Sequence, residues 1–420
     1  MKSSKGYQEV MNLGPEGHHR LWMVLFSLLI ILGIVSFLIG VSGSQTQRVW
    51  QAYLVNYVFW SGLAFGAVLF VAILNLTRAR WARPLKRLAE APAAFLPVSF
   101  LLFWVLYFGR ENLFPWIHEP VKGKELWLSV GFLFARDGGG LLLLISVAMI
   151  LVFVSIRGDK EVLCRQLDSV SQGDPWMNTQ GGVDRHWRIQ AFLSPILGLL
   201  YAVVLSLIAF DLIMSLDPHW YSTLFGAYYF VGSFYTGLAA LVILAGLVRE
   251  SPAFKSLVRP KHFHDLGKIL FGFCLLTGDF FYSQFLVIWY GNLPEETRYV
   301  ILRVRADPWE PLAWAVLVVC FGIPFVVLLS KKIKMKPRPL MVLCSIILGG
   351  MWLERFLLVA PSLWEGNHLP IGIVEILITA GFFGLMALSL MVFLRKFPLL
   401  PVSDPLFVEA LETGGEEIGK

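Results

Sequence analysis

The chain is short of charge. Of its 420 residues 15% are Asp, Glu, Lys or Arg, against 57% hydrophobic ones, where soluble domains usually carry about 25% charged residues. With a mean hydropathy of +0.68, one globular core cannot take this much apolar surface out of water, so lipid is the solvent for much of it. A soluble enzyme, a nucleic-acid-binding protein and a disordered chain are excluded. The four cysteines, Cys164, Cys274, Cys320 and Cys344, lie far apart, with no CxxC or CxxCH. That argues against a disulfide framework, an iron–sulfur site and a covalently attached c-type haem. Histidine is scarce where it would count. His18, His19, His118, His186, His219, His262, His264 and His368 fall in loops or at the ends of apolar runs, whereas membrane-buried b-type haem needs histidine pairs within spans. A chain so built carries no redox centre of its own, and partners must hold any metals.

Long apolar runs are what the sequence has in abundance. Ten reach the roughly 20 residues a spanning helix needs: Leu21–Val41, Tyr53–Leu76, Ala91–Phe108, Leu126–Ile156, Phe192–Leu216, Leu224–Val248, Leu266–Tyr290, Pro311–Leu329, Pro339–Ala360 and Ile371–Phe393. Barrel strands would alternate over about ten residues, and these runs are longer and apolar on all sides. The first run exceeds the ~7–15 residues of a cleaved signal's apolar region and reads as a retained helix. The expected protein is therefore all-α and polytopic.

Most of the 35 Lys and Arg fall on one side of these spans, in the groups Arg78–Arg87, Arg157–Arg188, Arg249–Lys268 and Lys331–Arg338 and near both termini. The bias places both termini in the cytoplasm. It also accounts for the pI of about 9.1 without nucleic acid. Residues 1–20 form a cytoplasmic segment, 21–396 the membrane domain and 397–420 an acidic cytoplasmic tail with Asp404, Glu409, Glu412, Glu416 and Glu417. The inner loop at about 157–191 and this tail suit contact with a partner.

Ionisable residues inside spans are costly and usually face a bundle interior or water. Arg136 and Asp137 lie in the fourth span, before Gly138, Gly139 and Gly140, which would let another helix come close. Asp211 lies in the fifth, with Tyr201 and Ser215 on about the same face. Asp279 is near the middle of the seventh, where Lys268 and Ser283 share its face by spacings of eleven and four. Glu354 and Arg355 lie in the ninth span and Glu375 in the tenth. Helical neighbours point about 100° apart, so Arg136 and Asp137, and Glu354 and Arg355, are expected to pair across helices, Arg355 with Asp211 or Glu375. Such groups can relay protons or fix helix register as buried ion pairs.

Three outer loops are dense in polar and aromatic residues: Asp217-Pro-His219-Trp220-Tyr-Ser-Thr, Trp289-Tyr-Gly-Asn292-Leu-Pro-Glu295-Glu296-Thr and Trp364-Glu365-Gly-Asn-His368. An aromatic belt with tight turns accounts for them. A docking surface for extracytoplasmic partners, using Asp217, His219, Trp220, Asn292, Glu295, Glu296, Glu365 and His368, is the other reading.

Two of these stretches, Asp211-Leu-Ile-Met-Ser-Leu-Asp-Pro-His-Trp-Tyr-Ser-Thr-Leu-Phe-Gly226 and Ser283-Gln-Phe-Leu-Val-Ile-Trp-Tyr-Gly-Asn-Leu-Pro-Glu-Glu-Thr297, resemble signature segments of the NrfD/PsrC-like integral membrane subunits. The likeness is to the smaller of the two in bacterial alternative complex III, the ActF type, over nearly the whole chain. The resemblance implies two adjacent four-helix bundles, spans two to five (about 53–216) and six to nine (about 224–360), flanked by spans one and ten. It also implies a subunit of a quinol:electron-acceptor oxidoreductase in the bacterial inner membrane. The implied partners are a larger homologous membrane subunit, multihaem and monohaem cytochromes c, an iron–sulfur subunit and a terminal oxidase as acceptor. Haem c and the iron–sulfur clusters belong to those partners, and this chain binds none; a quinone or lipid is the one small molecule it could hold.

Three readings stand. In the first the chain anchors the complex and conducts protons, entering near His262, His264, Asp265 and Lys268, passing Asp279 with Arg136 and Asp137 nearby, and leaving by Asp211, Glu354, Arg355 and Glu375. In the second it binds and oxidises quinol itself, beside Asp211 or Glu354. In the third it is a secondary transporter, which would want helices broken near the midplane.

Overall fold

The computed structural model of the chain describes residues 19–43, 45–172, 180–250, 252–364 and 366–416. Among them are ten helices long and apolar enough to cross a membrane: α1 (Arg20–Val41), α2 (Thr46–Leu76), α3 (Arg83–Leu113), α4 (Val130–Cys164), α5 (Arg185–Leu216), α6 (Leu224–Arg249), α7 (Pro260–Gly291), α8 (Trp309–Leu329), α9 (Pro337–Ser362) and α10 (Ile373–Lys396). Helix is what lipid demands of a spanning backbone, since every N–H and C=O must find its partner within the segment. Proline sets two starts: Pro260 and Pro337 stand in the first turn of α7 and α9, where the missing N–H costs nothing. The Trp-Tyr-Gly-Asn-Leu-Pro stretch ends α7 by local chemistry. Asn292 takes the left-handed conformation with φ 46° and donates its N–H to the Ile288 carbonyl, as Asn does at helix ends. Pro294 then starts a short helix, Pro294–Val304, with Glu295 and Glu296 in its first turn.

The third span begins at Arg83, well before the apolar run at Ala91. Its first turns carry Arg83, Lys86, Arg87 and Glu90, all four buried, because other parts of the chain supply their partners. The fifth helix likewise starts well ahead of Phe192.

α2 packs with α3 and α5, and α4 with α3 and α5; α6 packs with α7 and α9, and α8 with α7 and α9. α2 and α6 join the two groups, and α10 binds α1 and α2 from the side. α2 is buried over most of its length, which is why its sequence is apolar all round. Close approach between helices occurs at Gly66 and Gly237. A Cβ on Gly66 would fall 2.2 Å from the Ser233 carbonyl oxygen, and one on Gly237 2.4 Å from the Ala67 nitrogen. Gly33 of α1 and Gly381 of α10 meet in the same way. In the Gly138–Gly140 run the close neighbours are side chains rather than backbone: Gly138 admits the Trp104 ring of α3, Gly140 faces Val204 of α5, and Gly139 faces open space.

Candidate functional site

The interior polar groups fall into separate clusters, and helix-to-helix pairing decides their membership. At the end of the bundle where α4 begins and α5 ends, α4 presents Arg136 to Asp211 on α5. The guanidinium donates from Nε at 2.8 Å and Nη2 at 2.6 Å to Asp211 Oδ2. Trp127 Nε1 donates to the other oxygen at 2.9 Å. The Trp127 and Phe132 rings flank the guanidinium, at 3.7 and 4.4 Å from ring centroid to Cζ, a favourable arrangement for a desolvated cation. Asp137 adjoins Asp211 and is wholly out of solvent. No N–H or hydroxyl donor reaches either of its oxygens among the described residues, and its hydrogen-bonding neighbour is the Asp211 carboxyl. Two carboxyl groups thus share one cation. Ser215 closes on the Asp211 carbonyl at 2.5 Å. Tyr201 belongs elsewhere, donating to the Phe230 carbonyl at 2.6 Å.

Arg355 does not reach Asp211 or Glu375. It pairs at 3.0 Å with its own neighbour Glu354, lies over the Tyr229 ring at 4.4 Å and donates to the Tyr229 carbonyl at 3.3 Å. Neighbouring side chains do diverge on a helix, but the arginine side chain is long enough to swing back once the Tyr229 face holds it. Glu375 is taken by Arg48 across α2 and α10; the guanidinium Nη2 lies 2.8 Å from Oε2, which also accepts the Gly372 N–H at 2.8 Å. It caps α10 as an acidic first-turn residue should.

Asp279 sits on the outer surface of α7, exposed, away from α4 and α5. Lys268 is exposed and paired with Asp265 at 2.9 Å, and His264 lies 3.7 Å from the same carboxylate. Ser283 is half-buried. The structure therefore does not join His264, Lys268, Asp279 and Ser283 to Arg136, Asp137 and Asp211 in one interior line.

The opposite end of the bundle, where α1 begins and α10 ends, carries two clusters that sequence reasoning missed. Asp404 accepts from Arg83 at 2.8 Å and from Lys86 at 2.7 Å, and Lys86 also donates to Gln190 at 2.8 Å. Burial pushes the Asp404 carboxyl up, but Lys86 and Arg83 together hold it below the usual carboxylate range. Beside it Arg87 pairs with Glu90 and Asp159, and Asp159 accepts from the Ser403 N–H and hydroxyl at 2.8 and 2.6 Å. The i, i+3 and i+4 spacing of Arg83, Lys86, Arg87 and Glu90 was the available signal.

Of the candidate docking residues, Trp220 is buried and stacks on Tyr299 with ring centroids 3.6 Å apart and an interplanar angle of 2°. Asn292 is the helix cap described above. His219, Glu295 and His368 are exposed, and Asp217 and Glu296 half-exposed; Glu365 lies outside the described residues. Tyr299 itself lies against Arg303, whose guanidinium is 3.4 Å from the ring centroid and donates to the Leu358 carbonyl at 2.9 Å and the Ser362 hydroxyl at 2.6 Å. Burial pushes the Tyr299 hydroxyl up to about 12.

These groups close one end of a cavity of about 140 Å³ among α6, α7, α8, α9 and the short helix Pro294–Val304. Cys274, Thr277, Phe281 and Gln284 of α7 line it, with Tyr228, Tyr299, Arg303, Cys320 and Glu354 around them. A cavity of ~150 Å³ holds one benzene ring. A π-helical turn at Val318–Gly322 turns Cys320 and Phe321 toward it; such turns frequently mark functional sites. Among the described residues no three His, Cys, Asp or Glu side chains gather as a metal site.

A ten-helix bundle with ion pairs fixed in its interior defines a polytopic membrane protein. Residues 40–365 match the family described as polysulphide reductase, NrfD, and the chain belongs to that family. The matched stretch takes in α2 through α9 and leaves α10 and nearly all of α1 outside. Membrane subunits of this family stand in redox complexes beside iron–sulfur and cytochrome subunits. No curated protein matches the chain.

Proposed function

We propose that this chain is the smaller NrfD-type membrane subunit, the ActF type, of a quinol:electron-acceptor oxidoreductase of the alternative complex III kind, in the bacterial inner membrane with both termini cytoplasmic. It anchors the larger membrane subunit, the cytochromes c and the iron–sulfur subunit, and it passes protons through buried carboxyl groups at its outer end. The observation that carries the proton-passing role is the Arg136–Asp211–Asp137 cluster. One guanidinium matches one carboxylate, and the second carboxyl, buried against the first with no N–H or hydroxyl donor on it among the described residues, is a place where a proton can be held and handed on. The route so read runs through α4 and α5 rather than through Asp279.

The test is proton release per quinol oxidised by the whole complex in vesicles. Asp137→Asn should leave the subunits assembled and lower proton release several-fold, and Asp137→Glu should restore much of it. Unchanged turnover and stoichiometry in Asp137→Asn would end this reading.

The cavity favours a second reading, in which the chain holds a quinol ring. Tyr228, Glu354 and Arg303 ring a space of one aromatic ring's size inside apolar walls, the usual make-up of a small-molecule site. A photoreactive quinone that labels Tyr228 or Phe281, and is displaced by excess quinone, supports it; labelling confined to lipid-facing residues would remove it.

A further inference from the structure

The outer face of α7 carries a bare seam. Gly272, Leu275, Asp279, Tyr282, Leu286 and Trp289 follow one another by alternating steps of three and four residues, and every one is exposed. That 3.5-residue repeat is the pattern by which one helix lies along another in a left-handed crossing. The opposite stripe of α7 lines the cavity, so the seam faces away from this chain altogether. From Lys268 to Trp289 the helix rises about 31 Å, the thickness of a bilayer's hydrocarbon layer. Asp279 stands at the midpoint of that interval. Among the described residues it has neither an ion-pair nor a hydrogen-bond partner.

We propose that this seam is the docking site for a transmembrane helix of another membrane protein, one that offers a Lys or Arg side chain at the depth of Asp279. A carboxylate is not left against acyl chains at mid-membrane; such groups face a partner or water. Charge complementarity selects the occupant. A second copy of this chain meeting the seam across a two-fold axis would set Asp279 against Asp279. Lys268, the one cation on this face, is already held by Asp265 and lies some 16 Å along the helix. Gly272, with open space where a Cβ would stand, lets the incoming backbone come close. The inference needs only that α7 crosses a membrane, so it survives the loss of the quinol reading.

The test places a benzophenone-bearing phenylalanine at Tyr282 in the full chain, in its native membranes. Irradiation is expected to trap one membrane polypeptide. Peptide mapping is expected to put the adduct on a transmembrane helix with a Lys or Arg within one turn. Asp279→Lys and Asp279→Leu should each lower the yield at least tenfold, while the isolated variants keep the parent's unfolding temperature. Replacing the partner's cation by Asp should restore capture by Asp279→Lys. Adducts to lipid alone, to a second copy of this chain or to a helix without a cation would overturn the proposal. So would a yield that Asp279→Lys leaves unchanged.

Discussion

Arg83 and Asp404 stand 321 positions apart in the sequence and 2.8 Å apart in the fold, with both side chains out of solvent. The pair pins the segment after α10 to the start of α3, and Lys86 completes it. Removing the carboxylate leaves two cations buried together, so Asp404→Ala should destabilise by about 3–5 kcal/mol. Hydrogen exchange along Pro405–Glu416 should rise with it.

The same pair gives a pH dependence with a defined sign. The folded Asp404 carboxyl is held below its unfolded value. Its contribution is therefore fully present above the unfolded pKa of about 4 and is lost as pH falls through the folded one. Exchange protection of the Pro405–Glu416 helix should be flat from about pH 5 to 7 and fail below about pH 4. In Asp404→Asn this acid-dependent loss should vanish.

Arg136 and Asp211 offer a double-mutant cycle. Arg136→Leu strands Asp211 beside Asp137 and should cost about 3–5 kcal/mol. Adding Asp211→Leu should return part of that loss, because an apolar pair needs no counter-charge. Denaturant unfolding in mild detergent reads both. Strict additivity of the two losses would mean that the 2.6 Å contact carries no coupling.

The helix contacts predict opposite outcomes for two glycines. Gly237→Ala drives a methyl into the backbone of α2 and should cost about 1–3 kcal/mol as overpacking. Gly139→Ala meets nothing and should be neutral or stabilise by up to about 1 kcal/mol, from helix propensity. Unfolding temperatures of the two variants check this.

Tyr299 should ionise late. With its hydroxyl pushed up to about 12 by burial, an alkaline ultraviolet titration should show Tyr299→Phe losing absorbance change near pH 12 rather than near the ordinary value of about 10. Trp220→Ala unstacks the ring and admits water, and should move that change downward.

The ten spans were legible because lipid leaves the backbone one economical form, and twenty apolar residues in a row announce it. The turn after α7 was legible in kind, since Asn292 and Pro294 do their work locally. Charge partnership was not. Arg83 and Arg87 read as loop cations and Arg48 precedes the apolar run at Tyr53, yet their carboxylates, Asp404, Asp159 and Glu375, come from elements remote in sequence. The rule that helical neighbours diverge misdirected Arg355, because it takes no account of the Tyr229 ring that holds the guanidinium above Glu354. Asp279 lies near the middle of α7 but on its exposed side: spacing gives a face, and only the packing of α6 and α8 around α7 says which face is inward.

The contact at Gly66 and Gly237 bears on how the molecule can move. Backbone meets backbone there, and the Tyr229 hydroxyl crosses the same seam to the Val58 carbonyl at 2.9 Å. Carriers that expose a substrate first to one side and then to the other rock one half of the protein against the other around the site. Here the midline between α2 and α6 is closed by backbone against backbone. The two halves are keyed together at this seam, and a rocking of one against the other would have to break that backbone contact.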